Sequence, residues 1–367
     1  MTPADLSSTV ARAVRRAVED GELPAETGVP ERIVVERTRP GGVGDYATPV
    51  AFQVARAAGR PPAEVARVIA DGLAAEPGLV RVDITGAGFL NFTLAPRAAA
   101  ELVREVLSRG ARYGYAADAL EAEPFCWGPT AEFRQRAVHE AVVRILRSQG
   151  SSQGSSQGSS QGSGRGSADG GAPPVVVPVA RRDGDVVATY GRDAATWAVL
   201  AVPARETPQF DARLLVQDES GEFFLVRYAH SRAKALARAA ARLGFHPEPG
   251  HVDAPGHVDD APGHADAPGE IDAPARPGTA AAPALLRLLA EYPLVLEAAA
   301  HRRAPEQLVR FLVRVADELL DFQHCVLPKG DEKPSAAHRA RLALAEAAGT
   351  VLAGGLALLG IDAPDCL

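Results

Sequence analysis

The sequence is poor in cysteine, methionine and lysine, and it has no long uninterrupted apolar run. Its three cysteines, Cys126, Cys325 and Cys366, are odd in number, and no two of them form a C-x-x-C pair. This pattern argues against a disulfide framework and a structural zinc site, and it favours a reducing compartment. No apolar run reaches the roughly 18 residues that span a bilayer, and we find no charged-then-apolar leader. We therefore expect a soluble, cytoplasmic protein with no membrane partner.

Lysine is so scarce that nearly all positive charge comes from arginine, since the only lysines are Lys234, Lys329 and Lys333. The formal net charge of -7 argues against a non-specific polycation for nucleic acid. A local arginine face would still be enough for a specific RNA contact. Arginine suits bidentate and stacking contacts to phosphates and bases, but coding bias in a chain rich in Ala, Arg, Gly and Pro explains its abundance equally well.

Two low-complexity segments interrupt the chain. Residues 148–174 repeat Ser-Ser-Gln-Gly and contain no large apolar side chain, so we predict a flexible linker. Residues 247–283 repeat the pattern Gly-His-Val-Asp-Ala-Pro and are predicted to be a disordered insert. The histidines of this insert, His251, His257 and His264, could hold a metal loosely, but their spacing matches no tight site. We favour a solvated insert and predict no metal site.

Apolar periodicity predicts an α+β arrangement before the linker and helices after the insert. Helices are predicted over 4–19, from Val50 to Gly59, over 61–73 and over 98–107. Strands are predicted at 33–35, 80–84 and 89–94, with the last two joined by a glycine turn. The predicted domains are an N-terminal domain 1–112, a remnant 113–147, a linker 148–174, a junction 175–221 and a bundle 222–367.

A family resemblance appears in the N-terminal third. Gly44-Asp45-Tyr46-Ala47-Thr48, followed by Gly86-Ala87-Gly88-Phe89-Leu90-Asn91-Phe92, resembles the N-terminal additional domain of arginyl-tRNA synthetases. That domain grips the outer corner of tRNA, so the resemblance implies RNA contacts for Gly88, Phe89 and Asn91. The aromatic ring suits base stacking, the amide suits a base edge, and glycine permits a close backbone approach. The alternative is that Phe89 belongs to the core and Asn91 to the turn.

The ATP-site signatures of that family are degraded. Pro129 to Glu132 stand where the family has His-x-Gly-His, and Arg181 and Arg182 lie in a run that resembles its second ATP loop. The two segments are joined by about 25 polar residues, whereas a nucleotide-binding catalytic domain needs several βαβ units of roughly 30 residues each. The family binds ATP and arginine; we predict that both are lost, that no cofactor is bound and that no catalytic residue remains.

The C-terminal part, residues 222–367, resembles the DALR-type anticodon-binding helical bundle of the same family. Phe223 to Arg232 and Phe322 to Leu327 carry the resemblance. It implies RNA contacts for Tyr228, Arg232, Gln323 and His324. The overall prediction is an α+β N-terminal domain plus an all-α helical-bundle C-terminal domain, joined by a degenerate remnant of a Rossmann-type catalytic domain and flexible linkers.

Two further arginines, Arg310 and Arg314, lie one turn apart on a predicted bundle helix. They form a candidate phosphate-tracking patch. A solvated surface in which Arg314 pairs with Asp317 or Glu318 is an equal alternative.

Three functional hypotheses follow. The first is a non-catalytic protein that binds tRNA, of the arginine type by family resemblance. The second is a pseudoenzyme that binds and regulates a full-length synthetase or another translation-related protein. The third is an active arginine-tRNA ligase, which the degraded signatures disfavour. Under the first hypothesis, we expect the linker 148–174 to let the two tRNA-binding modules sit at variable separations.

Overall fold

The computed structural model describes residues 3–30, 33–38, 42–95, 99–120, 132–150, 175–218, 220–252 and 281–367. The chain divides into two units, Met1–Ala98 and Ala99–Leu367. The first unit contains helices α1 (Pro3–Glu19), α2 (Val50–Ala58) and α3 (Pro62–Leu73), and strands β1 (Glu36–Arg37), β2 (Tyr46–Thr48), β3 (Leu79–Thr85) and β4 (Phe89–Leu94).

The strands of the first unit form an antiparallel sheet in the order β1-β2-β4-β3. Leu90 and Phe92 of the inner strand β4 are fully buried, as expected when alternate residues of a strand face the core. The predicted hairpin and helices are confirmed. The predicted strand at 33–35 is wrong, because pairing with β2 begins only at Glu36, although Ile33 and Val35 are buried.

The second unit is helical in the part of the chain that the structure describes. Its helices are α4 (Ala99–Arg109), α5 (Phe133–Ser148), α6 (Val186–Tyr190), α7 (Arg192–Leu200), α8 (Glu222–Arg242), α9 (Ala281–Arg302), α10 (Pro305–Phe322) and α11 (Ala336–Leu359). Helix α4 belongs here because Leu102, Val103 and Val106 pack in the core of this unit. The boundary between the units therefore lies at Ala98, before the position 112 that the sequence suggested.

Helix α11 is the central helix of the second unit. It contacts α4, α5, α7, α8, α9 and α10. It is also long and apolar enough to cross a membrane by length and composition, but 78% of its most apolar stretch is buried inside the protein. Its apolarity is accounted for by this packing.

The low-complexity linker joins two segments of one unit. Val138 and Ile145 of α5, before the linker, share a core with Trp197 and Leu200 of α7, after it. The expectation that this linker sets the separation of the two tRNA-binding modules is therefore wrong. The composition of the linker does not show that the segments on either side of it are buried together, and this shared burial is why the expectation fails.

Both ends of the predicted insert, residues 247–252 and 281–283, belong to the described part of the second unit. Val252 is buried in the bundle core, and its carbonyl accepts a hydrogen bond from Nε of Arg341 at 3.1 Å. Helix α9 begins at Ala281. The repeats between these points, including His257 and His264, lie outside the described residues.

Candidate nucleic-acid-binding surfaces

The β3–β4 hairpin presents one aromatic ring at the surface. Phe89 is 45% exposed, and its ring packs edge-on against Phe52 of α2 with the centroids 5.0 Å apart. This contact restrains the ring while nearly half of the residue stays exposed to solvent. A held, open aromatic face is what base stacking requires.

Asn91 is buried and its amide is used within the hairpin. Nδ2 donates to Oγ1 of Thr85 at 2.8 Å and approaches the carbonyl oxygens of Phe89 and Asp83 at 3.3 and 3.4 Å. With 5% of its surface accessible, Asn91 closes the turn and does not present a base-reading edge. This placement corresponds to the alternative in which Asn91 is a turn residue.

Gly88 lets this hairpin pack against the start of α3. Its φ of +142° is rarely adopted by other residues, and a Cβ added here would lie 3.0 Å from the carbonyl oxygen of Pro62. The glycine therefore serves packing within the protein, and it positions Phe89 through the same turn.

The first half of α8 combines a surface aromatic pair with a buried histidine. Tyr228 is half-buried and stacks on Phe224 with centroids 5.5 Å apart. Nδ1 of His230 lies 3.1 Å from the carbonyl oxygen of Gly349, and because a carbonyl only accepts, this nitrogen carries the proton. His230 is 2% exposed, and burial lowers its pKa, so it has a packing role.

A second set of predicted residues meets where α8 faces the end of α10. Nε of Arg232 donates to Oε1 of Gln323 at 2.5 Å, and His324 is exposed next to it. Tyr228 lies one turn before Arg232 on α8, so both side chains share a helix face. We call Tyr228, Arg232, Gln323 and His324 the α8–α10 cluster.

Arg310 and Arg314 lie on a separate surface. Both are exposed on α10, and Nη2 of Arg314 lies 3.9 Å from Oε2 of Glu291 on α9. The nearest acidic partner therefore comes from the neighbouring helix and not from Asp317 or Glu318. Arg314 is nine residues from Gln323, about 14 Å along a helix axis and half a rotation away, so the arginine patch does not join the α8–α10 cluster.

The described part of the first degraded signature ends as a helix cap. The carboxylate of Glu132 accepts the backbone N–H of Gln135 at 3.0 Å, and its other oxygen lies 3.5 Å from the N–H of Val179. Pro129 lies outside the described residues. Arg181 and Arg182 form a short 3-10 helix in the second loop and are exposed, Arg182 by 80% of its side chain.

One important residue that sequence reasoning missed is Arg134. It is fully buried, and its guanidinium donates to the carbonyl oxygens of Val177 at 2.6 Å and Pro203 at 3.0 Å. Burial lowers its pKa, although an arginine remains charged. The only signal in the sequence is that this arginine lies in the first turn of a helix with an apolar face. Arg134 ties the segment before the linker to two segments after it.

No group of three His, Cys, Asp or Glu side chains suited to a metal occurs among the described residues. His251 is exposed at the described edge of the insert.

Two domain families match this chain. The arginyl tRNA synthetase N terminal domain matches residues 4–94, and the DALR anticodon binding domain matches residues 226–367. An arginine–tRNA ligase from Frankia alni is 45% identical over 161 residues, and one from Micrococcus luteus is 37% identical over 163. Each alignment covers 41% of this chain and only 29% of the ligase.

The fold comparison agrees with these matches. The Thermus thermophilus arginyl-tRNA synthetase aligns over 100% of both chains with a TM-score of 0.55 and 14% identity, a similarity of fold alone. The small antiparallel sheet unit and the helical bundle correspond to these two domain matches. This chain therefore contains an arginyl-tRNA synthetase N-terminal domain and a DALR anticodon-binding domain, and it spans less than a third of the length of the curated ligases it matches.

Proposed function

We propose that this protein binds tRNA, of the arginine type, through its N-terminal and DALR domains and does not charge it. The proposal has two parts, RNA binding and absence of aminoacylation. Each depends on different residues and is tested separately.

The observation that carries the non-catalytic part is the environment of Glu132. It stands where the family resemblance has the last histidine of the first ATP signature, at the N-terminus of α5. An unoccupied helix N-terminus attracts anions through its free N–H groups and its dipole. Here a carboxylate already takes the N–H of Gln135, so a phosphate at this end would meet negative charge.

The second ATP loop supports the same proposal. Pro178 and Ala180 replace the lysine and serine of the family pattern, and Arg181 and Arg182 are exposed in a 3-10 helix. On one side of this loop, the guanidinium of Arg134 donates a hydrogen bond to the backbone carbonyl of Val177 and so holds Val177 against α5. We infer that neither ATP nor arginine is a ligand, and that most of the family's catalytic domain is missing between residues 147 and 175.

The RNA-binding part rests on two surfaces. Phe89 offers a held aromatic face in the first unit. The α8–α10 cluster offers an aromatic ring, a guanidinium and an exposed imidazole in the second unit. Stacking and charge-assisted contacts of these kinds are the usual means of holding unpaired RNA bases.

Filter binding of purified protein to an arginine-type tRNA and to an unrelated RNA of equal length, at matched salt, tests the RNA part. We expect tighter binding to the tRNA, weakened by Tyr228→Ala. Equal affinity for both RNAs would overturn this part of the proposal.

Arginine-dependent ATP–pyrophosphate exchange tests the catalytic part. We expect no exchange above a protein-free blank. Exchange that rises with arginine concentration would identify the protein as an active ligase and refute the proposal.

A further inference from the structure

A pocket of about 210 Å³ opens in the second unit between α5, α6, α7 and the C-terminal end of α11. Arg136, Arg144, Arg192 and Glu140 line it, together with Phe133 and Thr196. Neither the cap residue Glu132 nor the arginines of the second loop belong to the lining. The pocket therefore borders the degraded ATP signatures, since Phe133 and Val187 line it, but none of their charged residues does.

Two of the charged groups neutralise each other. Nη2 of Arg144 lies 2.8 Å from Oε2 of Glu140, one turn earlier on α5. The same guanidinium packs over Gly360 at the C-terminus of α11, where a Cβ would lie 2.6 Å from Nη1. The φ of +76° at Gly360 also favours glycine. Arg144 is thus fixed as part of the wall.

The other two arginines carry an uncompensated charge. Among the residues that the structure describes, no carboxylate forms an ion pair with Arg136 or Arg192. Arg136 is half-buried on α5 and Arg192 is exposed at the first position of α7. The lining therefore has a net excess of two positive charges, in a chain whose formal charge is -7.

The start of α7 adds to this positive character. Its N-cap, Gly191, provides no side-chain acceptor, so no side chain caps the first-turn N–H groups. Asp193, in that turn, is not in the lining, and its carboxylate lies 3.4 Å from the N–H of Asp362. Thr196, one turn further along α7, also lines the pocket.

We propose that this pocket binds a phosphate group, held by the guanidinium groups of Arg136 and Arg192 and by Thr196. Arginine forks match phosphate oxygens in a bidentate geometry. The volume is below the roughly 300 Å³ at which pockets for drug-sized ligands begin, so it suits a single phosphate-bearing group. That group comes from an RNA backbone or from free phosphate or a nucleotide.

Isothermal titration with inorganic phosphate tests the pocket alone, so the proposal does not depend on tRNA binding. The variant is Arg136→Gln with Arg192→Gln, and the control is Arg205→Gln with Arg213→Gln, two exposed arginines of the same unit that do not line the pocket. We expect the pocket variant to raise the dissociation constant about tenfold or more. The control should change it less than about twofold, and both variants should keep the wild-type unfolding midpoint.

A parallel titration with tRNA in phosphate-free buffer identifies the source of the phosphate. Loss of inorganic phosphate binding in the pocket variant, with unchanged tRNA affinity, supports a free phosphate or nucleotide. A loss of tRNA affinity that exceeds that of the control supports an RNA phosphate, whether or not free phosphate binds. If the pocket variant and the control behave alike with both ligands, the proposal is wrong.

Discussion

Arg134 illustrates how a single buried side chain can hold together segments that a linker separates in sequence. Its two hydrogen bonds end on the carbonyl oxygens of Val177 and Pro203, both beyond the linker. We expect Arg134→Met to lower the free energy of unfolding of the second unit by about 3 kcal/mol, because two charge-assisted bonds are lost and two part-buried carbonyls lose their donors. Urea denaturation followed by tryptophan fluorescence, to which the buried Trp197 contributes, measures this.

The matched control is Arg136→Met, on the same helix two residues later. Arg136 is half-buried and forms no ion pair among the described residues, so we expect a change within about 0.5 kcal/mol. Equal losses of unfolding free energy for the two variants would mean that the hydrogen bonds of Arg134 to Val177 and Pro203 do not stabilise the second unit.

His230 predicts a pH dependence of stability. Burial lowers its pKa in the folded protein, with Lys234 acting in the same direction and with Gly349 and Asp365 opposing. Below the unfolded value of about 6.5, the unfolded chain binds more protons than the folded one. The stability from neutral His230 is therefore complete above about pH 6.5 and falls as the pH drops through the folded pKa.

Urea denaturation between pH 7.5 and 5.5 tests this with His230→Gln. We expect a shallower decline of the unfolding free energy than in the wild type. Some decline should remain, because burial also lowers the pKa of His139. The raised pKa of Glu346 acts with the opposite sign but in both proteins, so it cancels. An unchanged slope for His230→Gln, matching that of the surface variant His324→Gln, would contradict the assignment.

At the scale of elements, the β3–β4 hairpin gives Phe89 and Asn91 different environments, although the sequence motif suggested an RNA contact for both. Phe89 and Asn91 lie on the same strand, and only the folded turn decides which of them is exposed. Phe89→Ala should weaken tRNA binding about tenfold, because base–aromatic stacking contributes about 1–3 kcal/mol per base. Filter binding at constant salt measures this loss.

The companion variant Asn91→Ala should instead lower the local stability of the hairpin by about 1–2 kcal/mol, since Thr85 loses its partner. Hydrogen exchange of the β3 and β4 amides measures that change. A loss of tRNA affinity in Asn91→Ala without faster exchange would return Asn91 to the RNA-facing role.

Much of the architecture was accessible from the sequence because it depends on local pattern. Apolar periodicity and Gly59, which ends α2 in the left-handed conformation, fixed most helices of the first unit. Features that depend on contacts between segments far apart in the sequence could not be predicted from it. The pairing of Arg314 with Glu291, the burial of Asn91 and the packing of Val252 all require knowledge of which elements meet. The phosphate pocket was missed for the same reason, since its arginines lie on α5 and α7, on either side of the linker.

At the scale of the whole molecule, residues 151–174 of the linker connect two described segments of the second unit. Val177 is bonded to Arg134 near the start of α5, while Gly150 follows the end of that helix. Gly150 and Val177 therefore lie near opposite ends of α5, whose 16 residues measure about 24 Å. Twelve extended residues reach about 40 Å, whereas Val175 and Val176 alone, joined directly to Gly150, reach Val177 over only about 10 Å.

This geometry predicts a threshold in linker length. Halving the 24-residue stretch should raise the unfolding free energy of the second unit by about 0.6 kcal/mol, because a shorter loop loses less entropy on closure. It should leave tRNA affinity unchanged, since the linker lies within one unit and does not join the two. Removing it altogether, so that Val175 follows Gly150, should break the bonds to Arg134 and lower stability by about as much as Arg134→Met, when both are measured by urea denaturation. A gradual loss of tRNA affinity with each shortening, at constant stability, would instead restore a role for the linker in spacing the two RNA-binding surfaces.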